Sequence, residues 1–249
     1  MIYTITLNTA LDRTIWTRNL RDDDCNRIER EQSFAGGKGV DISKVLTNLG
    51  VNNKALGFVG GYAGDELEGL LINEGIACDF IRIAGDTRTN IILNDLESGE
   101  QIILNARGPL IKPYELMHFI HKIEDLSDPE FVTISGSLPP GVNPEIYRKI
   151  TEIAKSKGAK VALDTDGEPL RVALLGSPYI IKPNLHELSR LTGETLDTMG
   201  KTVRAAARIH ESSGVEIILV SMGDKGILLY TGTEQHLVVP PRVDVKNTI

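Results

Sequence analysis

Apolar residues along the chain gather in short β-rich runs separated by amphipathic stretches. Phe131–Ser135 and the runs 161–164, 179–182 and 216–221 read as strands, being apolar, rich in β-branched residues and bounded by turn formers. Helical periodicity fills the gaps at about 144–157, after Gly167, from about Leu185, and around 203–212. Residues 1–8 alternate as a further strand. Such strands, alternating with helices, predict a mostly parallel sheet with helices on both faces. Right-handed crossovers then make it a doubly wound α/β fold.

The N-terminal third follows a different pattern. Segments 11–17, 27–33, 89–95 and 101–105 alternate without helices of their own, whereas 39–49 and 65–73 read as helices of the main layer. The four segments predict a small antiparallel sheet, placed as a lid over the C-terminal edge of the main one. No repeat or linker divides the chain, so 1–249 reads as one domain.

The 249 residues suit such a domain, and 41% hydrophobic with 24% charged residues excludes disorder. Lys and Arg number 27 against 34 Asp and Glu, a net charge of −7. That balance argues against a general nucleic-acid or anionic-membrane binder, although an anionic small molecule needs only a local positive site. The two cysteines, Cys25 and Cys78, form neither a disulfide framework nor a metal spacing. Without a signal-peptide pattern or a long apolar run, the expectation is a soluble, cytoplasmic protein.

Chemistry is concentrated at strand ends. Gly36-Gly37-Lys38-Gly39 leads into an amphipathic helix. Glycines there let backbone N–H groups approach an anion, or serve a tight turn. The spacing is neither a Walker loop nor a dinucleotide fingerprint. In Lys182-Pro-Asn184-Leu-His-Glu187, an amide oxygen and a carboxylate at i and i+3 suit hydrated Mg²⁺, and equally a capping box. Ser221-Met-Gly223-Asp-Lys-Gly226 suits close approach to a nucleotide, or a hairpin turn. Ser135-Gly-Ser137-Leu-Pro-Pro-Gly141 at another strand end suits a rigid loop with a free hydroxyl, or merely a turn. Asp12, Arg27, Arg88 and Asn90 lie in or beside the lid strands, and Arg is a natural bidentate partner of phosphate. Asp164 and Asp166 read as a carboxylate pair. His118 and His121 stand at i and i+3 without a third ligand for zinc.

Taken in order, six motifs resemble the PfkB (ribokinase-like) sugar kinases, and within them the sugar-phosphate kinases. They are Thr6-Leu-Asn-Thr-Ala-Leu-Asp12, Gly36-Gly-Lys-Gly39, Thr87-Arg-Thr-Asn90, Ser135-Gly-Ser-Leu-Pro-Pro-Gly141, Lys182-Pro-Asn-Leu-His-Glu187 and Ser221-Met-Gly223. The resemblance implies ATP-dependent phosphorylation of a sugar phosphate, most closely fructose 1-phosphate to fructose 1,6-bisphosphate. Tagatose 6-phosphate and fructose 6-phosphate are the alternative acceptors. A non-catalytic sugar-phosphate or nucleotide binder is the alternative of another class.

The resemblance also assigns roles. Asp12 would bind sugar hydroxyls. Gly36, Gly37, Lys38 and Gly39 would line the sugar-phosphate site with Asp41, and Arg27, Arg88, Asn90 and Ser137 would reach it. Lys182, Asn184 and Glu187 would handle ATP phosphates and Mg²⁺, with Asn184 and Glu187 nearest the metal. Ser221, Gly223 and Gly226 would border the nucleotide. A homodimer through the lid is implied as well.

Two departures stand out. Asp41 occupies a position where the pattern usually has Asn. An ionised Asp cannot donate a hydrogen bond and repels phosphate. The pattern's Gly-Ala-Gly-Asp segment, carrying the catalytic base and the anion hole, would follow Ile249. The fold is therefore expected to be incomplete at its C-terminus, the 249-residue polypeptide poorly active or inactive, and some apolar sheet surface exposed.

Overall fold

The computed structural model describes residues 1–21 and 23–241. The run 242–249, which the resemblance places just before its catalytic segment, lies outside the described residues.

The first strand, β1 (Ile2–Thr6), leads straight into the lid strands β2 (Ala10–Thr17) and β3 (Ile28–Gly36). Helix α1 (Lys38–Asn48), β4 (Asn53–Val59), α2 (Gly61–Asn73) and two short strands, β5 (Ala77–Cys78) and β6 (Ile81–Arg82), return to the main layer. The lid is completed by β7 (Arg88–Asp95) and β8 (Gln101–Leu104). Strands β9 (Phe131–Ser135), β10 (Lys160–Asp164), β11 (Ile180–Ile181) and β12 (Ile217–Ser221) then alternate with helices. The helices are α3 (Pro113–Glu124), α4 (Glu145–Ser156), α5 (Gly167–Ala173), α6 (Leu185–Thr192) and α7 (Met199–Ser213). Antiparallel β13 (Ile227–Tyr230) and β14 (Gln235–Val238) close the described chain.

The main sheet has ten strands in the order β14-β13-β12-β11-β10-β9-β1-β4-β5, with β6 also on β4. Pairing from β12 across to β5 is parallel. The α/β class and the separate small sheet follow the expectation. The lid differs in one respect: order β3-β2-β7-β8 with β2 parallel to β7, rather than antiparallel throughout. Residues 18–87, which hold two helices, separate those two strands. A crossover of that length returns the chain in the same direction, which no hairpin can do.

Period-two alternation sends Tyr3, Ile5, Leu56, Phe58, Val132, Ile134, Val161, Leu163, Ile218 and Val220 to one face, where α3 to α7 bury them. Each fully buried side chain of this size contributes about 1.5–3 kcal/mol. Tyr147 is buried in that layer and donates its hydroxyl to the Gly136 carbonyl, 3.1 Å away. On the opposite face α1 and α2 pack around Ala55, Val59, Leu67 and Leu71, on the β1–β4 side. Beyond β9 that face carries Ala162, Ile180, Ile217, Leu219 and Leu229, all half-buried, and Ile227, which is exposed. No described helix packs on that part of the sheet. No helix is long and apolar enough to cross a membrane among the described residues.

Candidate functional site

The C-terminal ends of β1, β9, β10, β11 and β12 meet along one edge, where open α/β sheets bind ligands. The lid grows from that edge, since β1 runs directly into β2 and β3 directly into α1.

The turn into α1 is compact. Gly37 holds φ at +121°, a region that favours glycine, and a side chain on Gly36 would strike the Asp12 carboxylate, 2.1 Å from a Cβ placed there. Gly39 is buried against β1. Among the described residues no side chain caps the N-terminus of α1, which leaves its first-turn N–H groups available to an anion. The tight-turn and anion-approach readings of this loop are therefore compatible.

Asp12 and Asn90 are cross-strand partners on β2 and β7. The Asn90 amide donates to Asp12 Oδ1 at 2.7 Å, and Asn90 Oδ1 accepts from the Ala106 N–H at 3.1 Å. Arg88, two residues earlier on the same strand face, donates to three carbonyls: Asn8 at 3.0 Å, Ala106 at 2.9 Å and Thr9 at 3.4 Å. Among the described residues no carboxylate lies within 4 Å of its guanidinium. Burial lowers its pKa, while the nearby Asp12 charge opposes that shift. Ser137 stands on the floor, its hydroxyl accepting from the Asn8 amide at 3.1 Å. Asp41, on α1, lines the same cavity as Asp12. Burial raises the Asp41 pKa, Lys44 at 3.9 Å lowers it, and Asp12 and Glu74 raise it further.

At the other end of the cleft, Asp164 sits between two lysines. Lys38 Nζ is 2.9 Å from Oδ1 and Lys182 Nζ is 3.1 Å from Oδ2. Glu187, buried at 8% exposure, keeps Oε1 3.9 Å from Lys38. Asn184 and Glu187 form a capping box on α6: each accepts from the other's backbone N–H at 2.8 Å. Ser221 bridges Asn184 in parallel, its N–H on the Pro183 carbonyl. Gly223 opens the short 3₁₀ turn that joins β12 to β13. Gly226 is buried against the Val238 carbonyl, so hairpin packing accounts for it.

Arg27 is not brought to this cleft. It is exposed and precedes β3, whose length carries it about 30 Å from Gly36 at ~3.3 Å per residue. The expected Asp164–Asp166 pair also separates: Asp166 caps α5 and pairs with Arg190, while Asp164 turns to the lysines. Three side chains in the cleft lie within the sequence motifs but carry no role in them. Among the described residues, buried Thr6 Oγ1, Asn8 Oδ1 and Ser135 Oγ have no partner, at the ends of β1 and β9. Buried polar atoms of this kind mark places where a ligand or water completes the bonding.

Anionic phosphates suit Lys38, Lys182, Arg88 and the uncapped helix. A bare metal ion suits the cleft less well. No group of three His, Cys, Asp or Glu side chains among the described residues is placed to hold one, and Glu187 Oε2 is already engaged in the capping box. A hydrated Mg²⁺ carried by nucleotide phosphates, with Asp164 and Glu187 reaching its waters, is the arrangement these residues fit.

The family model "pfkB family carbohydrate kinase" matches residues 6–249. The chain belongs to this family. It is 32% identical over 249 residues to 1-phosphofructokinase of Bacillus subtilis (strain 168), covering 100% of this chain and 81% of that protein. It is 38% identical over 228 residues to D-tagatose-1-phosphate kinase of Bacillus licheniformis, covering 92% of this chain and 74% of that protein. The fold superposes on phosphofructokinase-2 from Escherichia coli in complex with fructose-6-phosphate with a TM-score of 0.94 at 29% identity, covering 99% of this chain and 82% of that one. A sugar-phosphate kinase is the activity class that these pfkB relatives support.

Proposed function

We propose that this cleft binds ATP and fructose 1-phosphate for transfer of the γ-phosphoryl group to form fructose 1,6-bisphosphate. The observation that carries the reading is Arg88: a half-buried cation, oriented by three carbonyls, without a carboxylate, beside the Asp12–Asn90 pair. Neutral dipoles fix the guanidinium but leave its charge for a phosphate. Asp12 accepts from a sugar hydroxyl and so orients the acceptor. Lys38 and Lys182 hold the nucleotide phosphates, with the α1 N-terminus beside them. Mg²⁺, when bound with ATP, neutralises phosphate charge. Tagatose or fructose phosphates differing in phosphate position use the same groups, so acceptor choice is decided by distance from Arg88 to the reacting hydroxyl.

We propose that these side chains supply the binding of both ligands. Calorimetry with fructose 1-phosphate, tagatose 6-phosphate, fructose 6-phosphate and unphosphorylated fructose tests the binding reading. Equal affinity for fructose and its phosphates would overturn it.

The lid presents Ile102, Ile103 and Leu104 on its exposed edge strand β8. An apolar edge of this kind favours association, and we place a homodimer contact there. A monomer by gel filtration at micromolar concentration would remove it. We propose a cytoplasmic location, which two free cysteines and a metabolic activity of this kind suit.

A further inference from the structure

Beside Arg88 the cleft opens into a cavity of about 630 Å³. Its wall is the loop 106–112, and this loop is fastened by the site itself. The Ala106 carbonyl accepts from Arg88 and the Ala106 N–H donates to Asn90. The Arg107 carbonyl accepts from the Asn8 amide at 3.1 Å, and the same amide reaches Ser137. Gly108 lies against Asn8 so closely that a Cβ there would stand 2.1 Å from Asn8 Oδ1. The backbone is thus fixed immediately before, at and after Arg107.

The Arg107 side chain is the opposite: exposed, and without an ion pair or a hydrogen bond among the described residues. It lines the same cavity as Arg88 and Lys112, whose one carboxylate-bearing wall residue is the exposed Asp86. A rooted backbone with an unused guanidinium, next to a second guanidinium bound only to carbonyls, makes a two-Arg pincer for a dianion. A phosphate monoester, with three acceptor oxygens, can accept from both forks at once.

We propose that Arg107 is a specificity-determining residue, closing on the non-reacting phosphate of the acceptor from the side opposite Arg88. This rests on the reading of Arg88 as the phosphate ligand. The pincer selects phosphorylated over free sugars and leaves the nucleotide end untouched. Because the Arg107 side chain is exposed and makes no hydrogen bond or ion pair among the described residues, removing it does not threaten the fold.

Calorimetric titration of the 249-residue protein with fructose 1-phosphate, fructose and ATP tests this, using wild type, Arg107→Ala, Arg107→Lys and Arg88→Ala. Loss of a charge-assisted pair predicts about 10- to 100-fold weaker fructose 1-phosphate binding in Arg107→Ala. Fructose and ATP affinities and the melting temperature should stay unchanged, and Arg107→Lys should recover part of the loss. If Arg88→Ala weakens binding while Arg107→Ala matches wild type, the pincer is overturned and the Arg88 reading stands. A wild type that binds fructose 1-phosphate no better than fructose overturns both. Equal losses for fructose and its phosphate in Arg107→Ala overturn the pincer too, since they would mark a structural effect.

Discussion

At the lid end of the cleft, Arg88 is held by three carbonyl oxygens. At the strand end, Lys38 and Lys182 are held by Asp164, with Glu187 as a second carboxylate 3.9 Å from Lys38. Both arrangements orient a cation, yet they leave different fields. Carbonyls fix the guanidinium without cancelling its charge, so an arriving phosphate meets a standing positive site. Asp164 and Glu187 together offset the two lysine charges, and Asp164 competes with any anion for both. The lid end is preset for a dianion of fixed position. The strand end admits a polyanion only as it displaces Asp164, or as a divalent cation draws Asp164 away.

The comparison breaks most visibly at Arg88. Arg88→Ala is expected to weaken fructose 1-phosphate binding by about 100-fold or more while ATP binding persists. Arg88→Lys should not restore it, because an ammonium cannot span three carbonyls and a phosphate in a planar fork. Retention of sugar-phosphate affinity within threefold in Arg88→Ala would show that the lid end holds no preset site. A smaller effect belongs to Asp164. In EDTA, Asp164→Asn should tighten ATP binding by about tenfold, since near-surface charges a few ångströms apart interact by 1 kcal/mol or more. With Mg²⁺ the gain should shrink or reverse. An ATP affinity in EDTA equal to wild type would mean that Asp164 does not compete.

Asn184 tests whether the strand end is more than a helix cap. Loss of its cap on Glu187 N–H should cost about 1 kcal/mol in Asn184→Ala, a melting-temperature drop of about 2–4 °C for a chain of this size. A cap-only role would leave Mg²⁺-dependent ATP affinity unchanged in the folded variant. A loss confined to Mg²⁺-containing buffer would add a role toward the metal.

What was legible in the sequence was local or periodic. Alternation marked the lid strands within a few residues of β2, β3, β7 and β8, and the apolar run Phe131–Ser135 coincides with β9. The glycines before α1 announced a turn whose geometry is set by near neighbours. Asp164 was not legible in its role. Its spacing from Asp166 suggested a pair, but its partners Lys38 and Lys182 lie 126 and 18 residues away, and only the sheet order unites them. Arg107 gave no local signal, because what singles it out is how Asn8, Arg88 and Asn90 hold its flanks. Some exposed apolar sheet surface is an expectation of the sequence, but its place beyond β9 is not: Ile180, Ile217 and Leu219 read as ordinary core positions.

Asp41 supplies the finest test of the lid end, because it places a second carboxylate beside Asp12 where a phosphorylated sugar is proposed to sit. Burial raises its pKa, and the Asp12 charge adds to that, with Lys44 opposing. A carboxyl whose folded pKa is raised stabilises the fold below its ordinary pKa near 3.8, and that contribution is lost as pH rises through the raised value. Above that value the side chain is ionised and repels a phosphate dianion. Asp41→Asn keeps the shape, removes the charge and adds a donor. Fructose 1-phosphate binding at pH 7 should tighten by about threefold, a few tenths of a kcal/mol to 1 kcal/mol being typical of half-exposed charge pairs. The advantage should narrow as pH falls toward the range where wild-type Asp41 protonates. Sugar phosphates lose their second charge near pH ~6, so the informative quantity is the ratio of the two proteins' affinities at each pH. A ratio constant from pH 7 to pH 4.5 would place the Asp41 charge outside the reach of the acceptor phosphate. The preset lid end would then owe its field to Arg88 and its neighbours alone.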